Sequence, residues 1–149
     1  MAVVEDKDLG YERIISGLKE LDGATIVVGV LRNAGREIDG ADLVDVAVWN
    51  EYGTRRIPSR PFLRIATDEN GESWQELAEK GVNGIIAGTM GKQQVLDLVG
   101  VKAVGDIQKV IGSNKLKPNA EATIRRKGSE APLIDTDRLR QSIHYHVED

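Results

Sequence analysis

Only two stretches of this chain read as β-strand, and they lie at its opposite ends. ATIVVGVL (24–31) is short and dense in β-branched residues. SIHYHV (142–147) sets Ile143, Tyr145 and Val147 against Ser142, His144 and His146, the alternation of a half-buried strand. The two are expected to pair, 26–30 against 143–147. Because Ile26, Val27 and Val28 are consecutive, the first strand is expected to be covered on both faces.

The intervening chain reads mostly as helix. In 7–21, Tyr11, Ile14, Ile15, Leu18 and Leu21 recur at threes and fours, and Asp22-Gly23 stops the pattern. Residues 32–40 are a loop by composition. DLVDVAVWNEYG (42–53) fits a strand through Val44, Val46 and Val48. It also fits a helix with Leu43, Val44, Ala47 and Val48 on one face. Asp42 as N-cap and Gly53 as C-cap both favour the helix. TRRIPSRP (54–61) cannot be regular, since two prolines three apart remove donors and push Ile57 and Arg60 toward extended geometry.

Pro61 suits the first position of a following helix through Phe62, Leu63, Ile65 and Ala66. Gly71 weakens that helix, and Ser73-Trp-Gln-Glu76 is a capping-box pattern at which a second helix can start. Leu77, Val82, Ile85 and Ile86 carry the apolar spacing toward Thr89. Gly88 and Gly91 bracket a break. Residues 92–111 are the clearest helix, with Val95, Leu96, Val99, Ala103, Ile107, Val110 and Ile111 in period. Residues 113–132 lack periodicity and read as a basic, flexible loop. Asp135 or Thr136 can cap a short helix over 137–141. No internal repeat or long linker divides the 149 residues, a length that suits one domain. The expected fold class is α+β: a small, mostly antiparallel sheet packed by several α-helices.

Composition narrows the function. Cysteine is absent, which removes disulfides, thiolate metal sites and thiol nucleophiles and fits a reducing compartment. Aromatics are only 4%, so the core must be built from Val, Ile, Leu and Ala. The N-terminal MAVVEDKDLGYERII lacks a basic-then-apolar signal pattern, and no apolar run approaches the roughly 20 residues of a membrane span. A soluble protein made inside the cell is therefore expected. Net charge is −4, which argues against a general polyanion binder, but the charge is uneven. Residues 55–64 hold four arginines and no acid, and 115–127 hold five bases against Glu121. Between them, Asp68, Glu69, Glu72, Glu76 and Glu79 face a single Lys80.

No nucleophile elbow, phosphate-binding glycine loop or zinc-helix pattern is present. Carboxylate pairs such as Asp42/Asp45 and Glu76/Glu79 have the spacing of a solvated helix face. A small hydrolase built on them would need converging carboxylates in a cleft. His144 and His146 share one strand face and can in principle hold one metal. No third ligand has matching spacing, and an exposed polar face is the simpler reading. No catalytic, cofactor or metal residues are assigned. Residues 115–128 can touch phosphate but lack the interleaved aromatics of a single-strand platform. Trp49 and Trp74 are each open to a core or an interface role.

EYGTRRIPSRPFLR (51–64) resembles a block of the phage tail-completion, or neck, proteins that join head and tail in tailed bacteriophages and prophages. The matching residues are Glu51, Tyr52, Gly53, Thr54, Pro58, Arg60, Pro61, Phe62, Leu63 and Arg64, with Arg55 and Arg56 in the spacer. A second block, Thr123, Lys127, Gly128, Pro132, Leu133, Asp135, Thr136 and Leu139, is similar to that family's C-terminal end. The two blocks occur in matching order over 42–147. One departure is Asp137, where the family has glycine after Asp-Thr; an acid in the first turn of a helix is favourable.

The resemblance implies a structural protein without enzymatic activity or cofactor. It implies a homo-oligomeric ring, commonly hexameric, at the top of the tail, in contact with tail-tube and head–tail connector proteins. The implied location is the virion, and the host bacterial cytoplasm during assembly. A ring needs a head-to-tail interface, and basic loops with an acidic helix supply complementary patches. The Arg60/Arg64 pair is expected to meet acids at a subunit or tail-tube contact. The alternative is a nucleic-acid-binding accessory protein using loops 55–64 and 115–127.

Overall fold

The computed structural model describes residues 7–113, 115–121, 125 and 137–148. Asp8 opens the first helix, α1 (Tyr11–Leu21): its Oδ1 accepts from Gly10 N at 2.9 Å and Tyr11 N at 2.6 Å. Ile14, Ile15, Leu18 and Leu21 of the anticipated stripe are half-buried, while Tyr11 projects into solvent. The helix packs on α3 (Phe62–Ala87), where Gly17 gives room to Ile85.

β1 (Thr25–Val30) and β2 (Ile143–Glu148) form the anticipated antiparallel pair, with Val30 opposite Ile143, Val28 opposite Tyr145 and Ile26 opposite Val147. These six side chains are half-buried or buried on the side facing α4 (Lys92–Ile111). The expected cover on both faces is corrected: Thr25, Val27, His144, His146 and Glu148 are exposed on the other side. A β-branched run in a two-stranded sheet satisfies strand propensity without a second layer.

α2 (Leu43–Tyr52) resolves the helix-or-strand ambiguity in favour of helix. Asp42 Oδ1 accepts from Val44 N at 2.9 Å, and Gly53 leaves the helix at φ 79°. The anticipated apolar face is rotated, however. Leu43, Ala47, Asn50 and Glu51 are buried, while Val48 is exposed. Val44 stays half-buried, and Asn50 and Glu51 are buried because both are engaged at the corner that follows the helix.

α3 is one continuous helix of 26 residues, so no second start occurs at Ser73. A single glycine costs a helix about 1 kcal/mol. Continuity lets Trp74 pack on the core and donate Nε1–H to Asp106 Oδ2 at 2.9 Å. Pro61 is the residue before the helix, one place earlier than anticipated. Gly88, at φ 75°, closes α3, and α4 returns beside it over the anticipated span. At Gly81 the two helices approach so closely that a Cβ would stand 2.5 Å from Val95 Cγ1.

The main core gathers Leu43, Ala47, Phe62, Ala66, Ile107, Val110, Ile111, Leu139 and Ile143, with Leu116 from the segment read as loop. An isolated leucine between lysines carries no periodic signal, so that insertion is not readable in advance. A last short helix, α5 (Arg138–Gln141), follows Asp137, which has φ 58°. That left-handed conformation favours glycine. Asp135 and Thr136, the expected caps, lie outside the described residues.

Candidate functional site

The segment from Glu51 to Arg64 is a closed corner between α2 and α3. Gly53 is required twice over, by its φ of 79° and because a Cβ would stand 2.9 Å from Ser59 N. Thr54 Oγ1 accepts from Arg56 N at 3.2 Å and Ile57 N at 3.0 Å, and Thr54 N donates to Ile57 O at 2.8 Å. The Ser59 hydroxyl donates to Glu51 O at 2.9 Å, and Arg60 N donates to Asn50 O at 2.6 Å. Phe62 N reaches Arg60 O at 2.8 Å across Pro61, whose φ −77° and ψ 68° make an inverse γ-turn. Pro58 and Pro61 bring no donors, so neither leaves one unpaired.

Glu51 is only 4% exposed and serves as the cap of α3 from another helix. Its Oε2 accepts from Leu63 N at 2.9 Å, and its Oε1 accepts from Arg64 N at 3.1 Å and Arg64 Nε at 3.0 Å. A carboxylate on the free N–H groups at a helix start is favoured by the helix dipole. Phe62, fully buried, anchors that start in the core.

Arg60 is 8% exposed and engaged within the chain. Nε donates to Lys117 O at 2.7 Å, Nη1 to Asn50 Oδ1 at 3.3 Å, and Nη2 to Pro118 O and Asn119 Oδ1 at 3.3 Å each. Burial pulls its pKa below the usual arginine value, yet an arginine remains charged. Its fork ties the corner to residues 117–119, beside the buried Leu116. The expectation that Arg60 faces a neighbour's acids is therefore corrected. Arg64 is also engaged, through Glu51 O at 2.7 Å and a stacking contact 5.4 Å above Tyr52, although much of its side chain is exposed. Asn50, which immediately precedes the 51–64 segment, is the residue that sequence reasoning missed. A buried amide adjoining a motif has no distinctive pattern.

The corner leaves a different set of side chains outside. Val48, Trp49 and Tyr52 are 48%, 40% and 71% exposed. Arg55 and Arg56 are exposed, and no side-chain partner holds them among the described residues. Trp49 thus belongs to the surface and Trp74 to the core. Asp68, Glu69, Glu72, Glu76 and Glu79 are all exposed, and by helical spacing Asp68, Glu72 and Glu79 lie on the side of α3 opposite the buried Gly81. Lys115 pairs with Glu69. No ion pair holds Asp68, Glu72 or Glu76 among the described residues.

Asp68, Glu72, Glu76 and Glu79 therefore spread along an outer face rather than converge in a cleft, while Glu69 borders a hollow beside α4. A hollow of about 200 Å³ between α3 and the end of α4 is lined by Glu69, Asn70, Asp106, Lys109 and Ser113. Its buried acid, Asp106, is bound by Trp74 and Lys102, with Lys109 at 3.6 Å. Desolvation pushes Asp106 up, but the hydrogen bonds from Lys102 and Trp74 and the charges of Lys102 and Lys109 together bring it below the usual carboxylate range. Among the described residues no three His, Asp or Glu side chains are grouped to hold a metal, and no helix is long and apolar enough to cross a membrane. Of the second block, Leu139 is buried in the core. Thr123, Lys127, Gly128, Pro132, Leu133, Asp135 and Thr136 lie outside the described residues.

The fold defines an α+β domain with helices on one face of a two-stranded antiparallel sheet. No family model, curated protein or solved structure matches the chain.

Proposed function

We propose that this chain is a structural virion-assembly protein of the tail-completion or neck type. In this reading it forms a ring at the top of a phage tail, joins tail to head, and performs no catalysis. Its partners are further copies of itself, the tail tube and head–tail connector proteins. It works in the virion after assembly in the host bacterial cytoplasm.

The observation that carries the reading is the corner at 51–64. Glu51, Arg60 and Gly53 stiffen it from within, and it presents Trp49, Tyr52, Arg55 and Arg56 outward. Trp, Tyr and Arg on a rigid frame are the side chains that dominate protein interfaces. The family resemblance of the same segment supplies the kind of assembly.

Pull-down of the full chain on purified tail tubes tests the proposal. Retention of the wild-type chain is expected, with marked weakening in Trp49→Ala/Tyr52→Ala. A chain that binds no tube and stays monomeric at high concentration ends the assembly reading. The exposed Arg55 and Arg56 beside Tyr52 support one rival, phosphate binding to nucleic acid. That rival requires duplex binding that falls steeply with salt, and absence of binding at low salt removes it.

A further inference from the structure

Two exposed, oppositely charged surfaces of this chain carry charges that no ion pair answers among the described residues. The first is the outer face of α2 with its corner: Trp49 and Tyr52, the guanidinium of Arg64 over the Tyr52 ring, and Arg55 and Arg56. The second is the carboxylate strip of α3: Asp68, Glu72 and Glu76 at four-residue steps, then Glu79. At about 1.5 Å per residue the strip runs roughly 16 Å. Its carboxylates are one turn apart, a like-charge spacing that destabilises a helix in isolation. Within the described chain only Gln75 answers Glu79, at 3.1 Å, and no cation answers the other three. The neighbouring Glu69 already has Lys115.

We propose that the aromatic–arginine face of one copy docks on the carboxylate strip of α3 in a second copy. This rests on the assembly reading above and specifies its interface. The contact is heterologous: each copy offers one patch in each direction, so that association continues until a ring closes. Charge complementarity selects this occupant. Arg55 and Arg56 meet the acids, and Trp49 and Tyr52 supply the apolar area that ion pairs at an exposed rim do not. Arg60 takes no part, since its donors are engaged inside the corner.

The test uses the full chain at low salt in sedimentation equilibrium over rising concentration. Arg55→Glu/Arg56→Glu and Asp68→Arg/Glu72→Arg are each expected to weaken self-association about tenfold or more. All the substituted positions are exposed, and unchanged thermal melting verifies that the variants are folded. An equimolar mixture of the two variants is expected to recover association, because the reversed corner of one then meets the reversed strip of the other. Any of three results overturns the proposal: a wild-type chain that remains monomeric, variants that associate like wild type, or a mixture that fails to recover. The second of these points to the rival when Arg55→Glu/Arg56→Glu, while associating like wild type, loses binding to a DNA duplex at low salt. In that case the surface belongs to nucleic acid. If the wild-type chain is still retained on tail tubes, the assembly reading survives the loss of this interface.

Discussion

Glu51 shows how a single side chain holds a turn together. Its carboxylate accepts two backbone N–H groups of α3 and the Arg64 side chain, while its carbonyl accepts Ser59 and Arg64. Glu51→Ala leaves two part-buried donors, Leu63 N and Arg64 N, without acceptors and removes the cap. The expected loss is about 2–4 kcal/mol in urea unfolding. Glu51→Gln keeps one acceptor oxygen and is expected to lose about 1–2 kcal/mol. A full loss in Glu51→Ala with none in Glu51→Gln would show that side-chain volume rather than the carboxylate cap matters. The block around Glu51 was legible as a stiff elbow from its prolines and glycine. The destination of its charges was not, because an arginine that meets a distant carbonyl looks in sequence like one that meets a partner.

At the scale of elements, glycines set the sign of the response to one extra methyl group. Gly71 lies in α3 with open space where a Cβ would be, so Gly71→Ala is expected to raise stability by about 0.5–1 kcal/mol. Gly100 lies where α4 meets the sheet, and a Cβ there would stand 2.4 Å from Tyr145 Cδ2. Tyr145 is tethered by its hydroxyl donating to Asp97 Oδ1 at 2.7 Å, so its ring has little room to yield. Gly100→Ala is expected to destabilise by about 1–3 kcal/mol, and thermal melting of the pair compares the two signs directly.

Asp106 ties α4 to α3 through Trp74. The carboxyl is held below its unfolded value of about 3.9, so the folded chain binds fewer protons there than the unfolded chain as pH falls. Its contribution to stability is complete above that value and is lost as pH drops through it toward the folded one. Asp106→Asn is expected to cost about 1–3 kcal/mol at neutral pH. It should also flatten the acid limb of a plot of urea midpoint against pH, and an unchanged limb would remove Asp106 as its source.

Over the whole molecule, the sheet is closed by the last described element. β2 brings the buried Ile143 into the core and pairs β1, which has no other strand partner among the described residues. Deleting the chain after Gln141 unpairs β1 and opens a cavity worth about 2–5 kcal/mol at Ile143 alone. Typical domains have only about 5–15 kcal/mol in total. The truncated chain is therefore expected to lose its cooperative melting transition by circular dichroism, and a sharp transition near that of the full chain would contradict the closure.

Local pattern alone determined a good deal of this protein. It placed the two strands and their pairing, the end signals of α2, the whole of α4 and the irregular geometry between Thr54 and Pro61. These rest on periodicity and on proline and glycine backbone chemistry, which act between near neighbours. Tertiary structure decided the rest. It carried α3 unbroken through Gly71, turned Val48 and Trp49 outward while Asn50 and Glu51 went in, and drew Leu116 into the core. It also closed Arg60 on residues 117–119 and left Arg55 and Arg56 outside. Each of those outcomes depends on which polar group finds a partner when distant segments meet. A hydrogen bond across more than fifty residues leaves no trace in the spacing of either end.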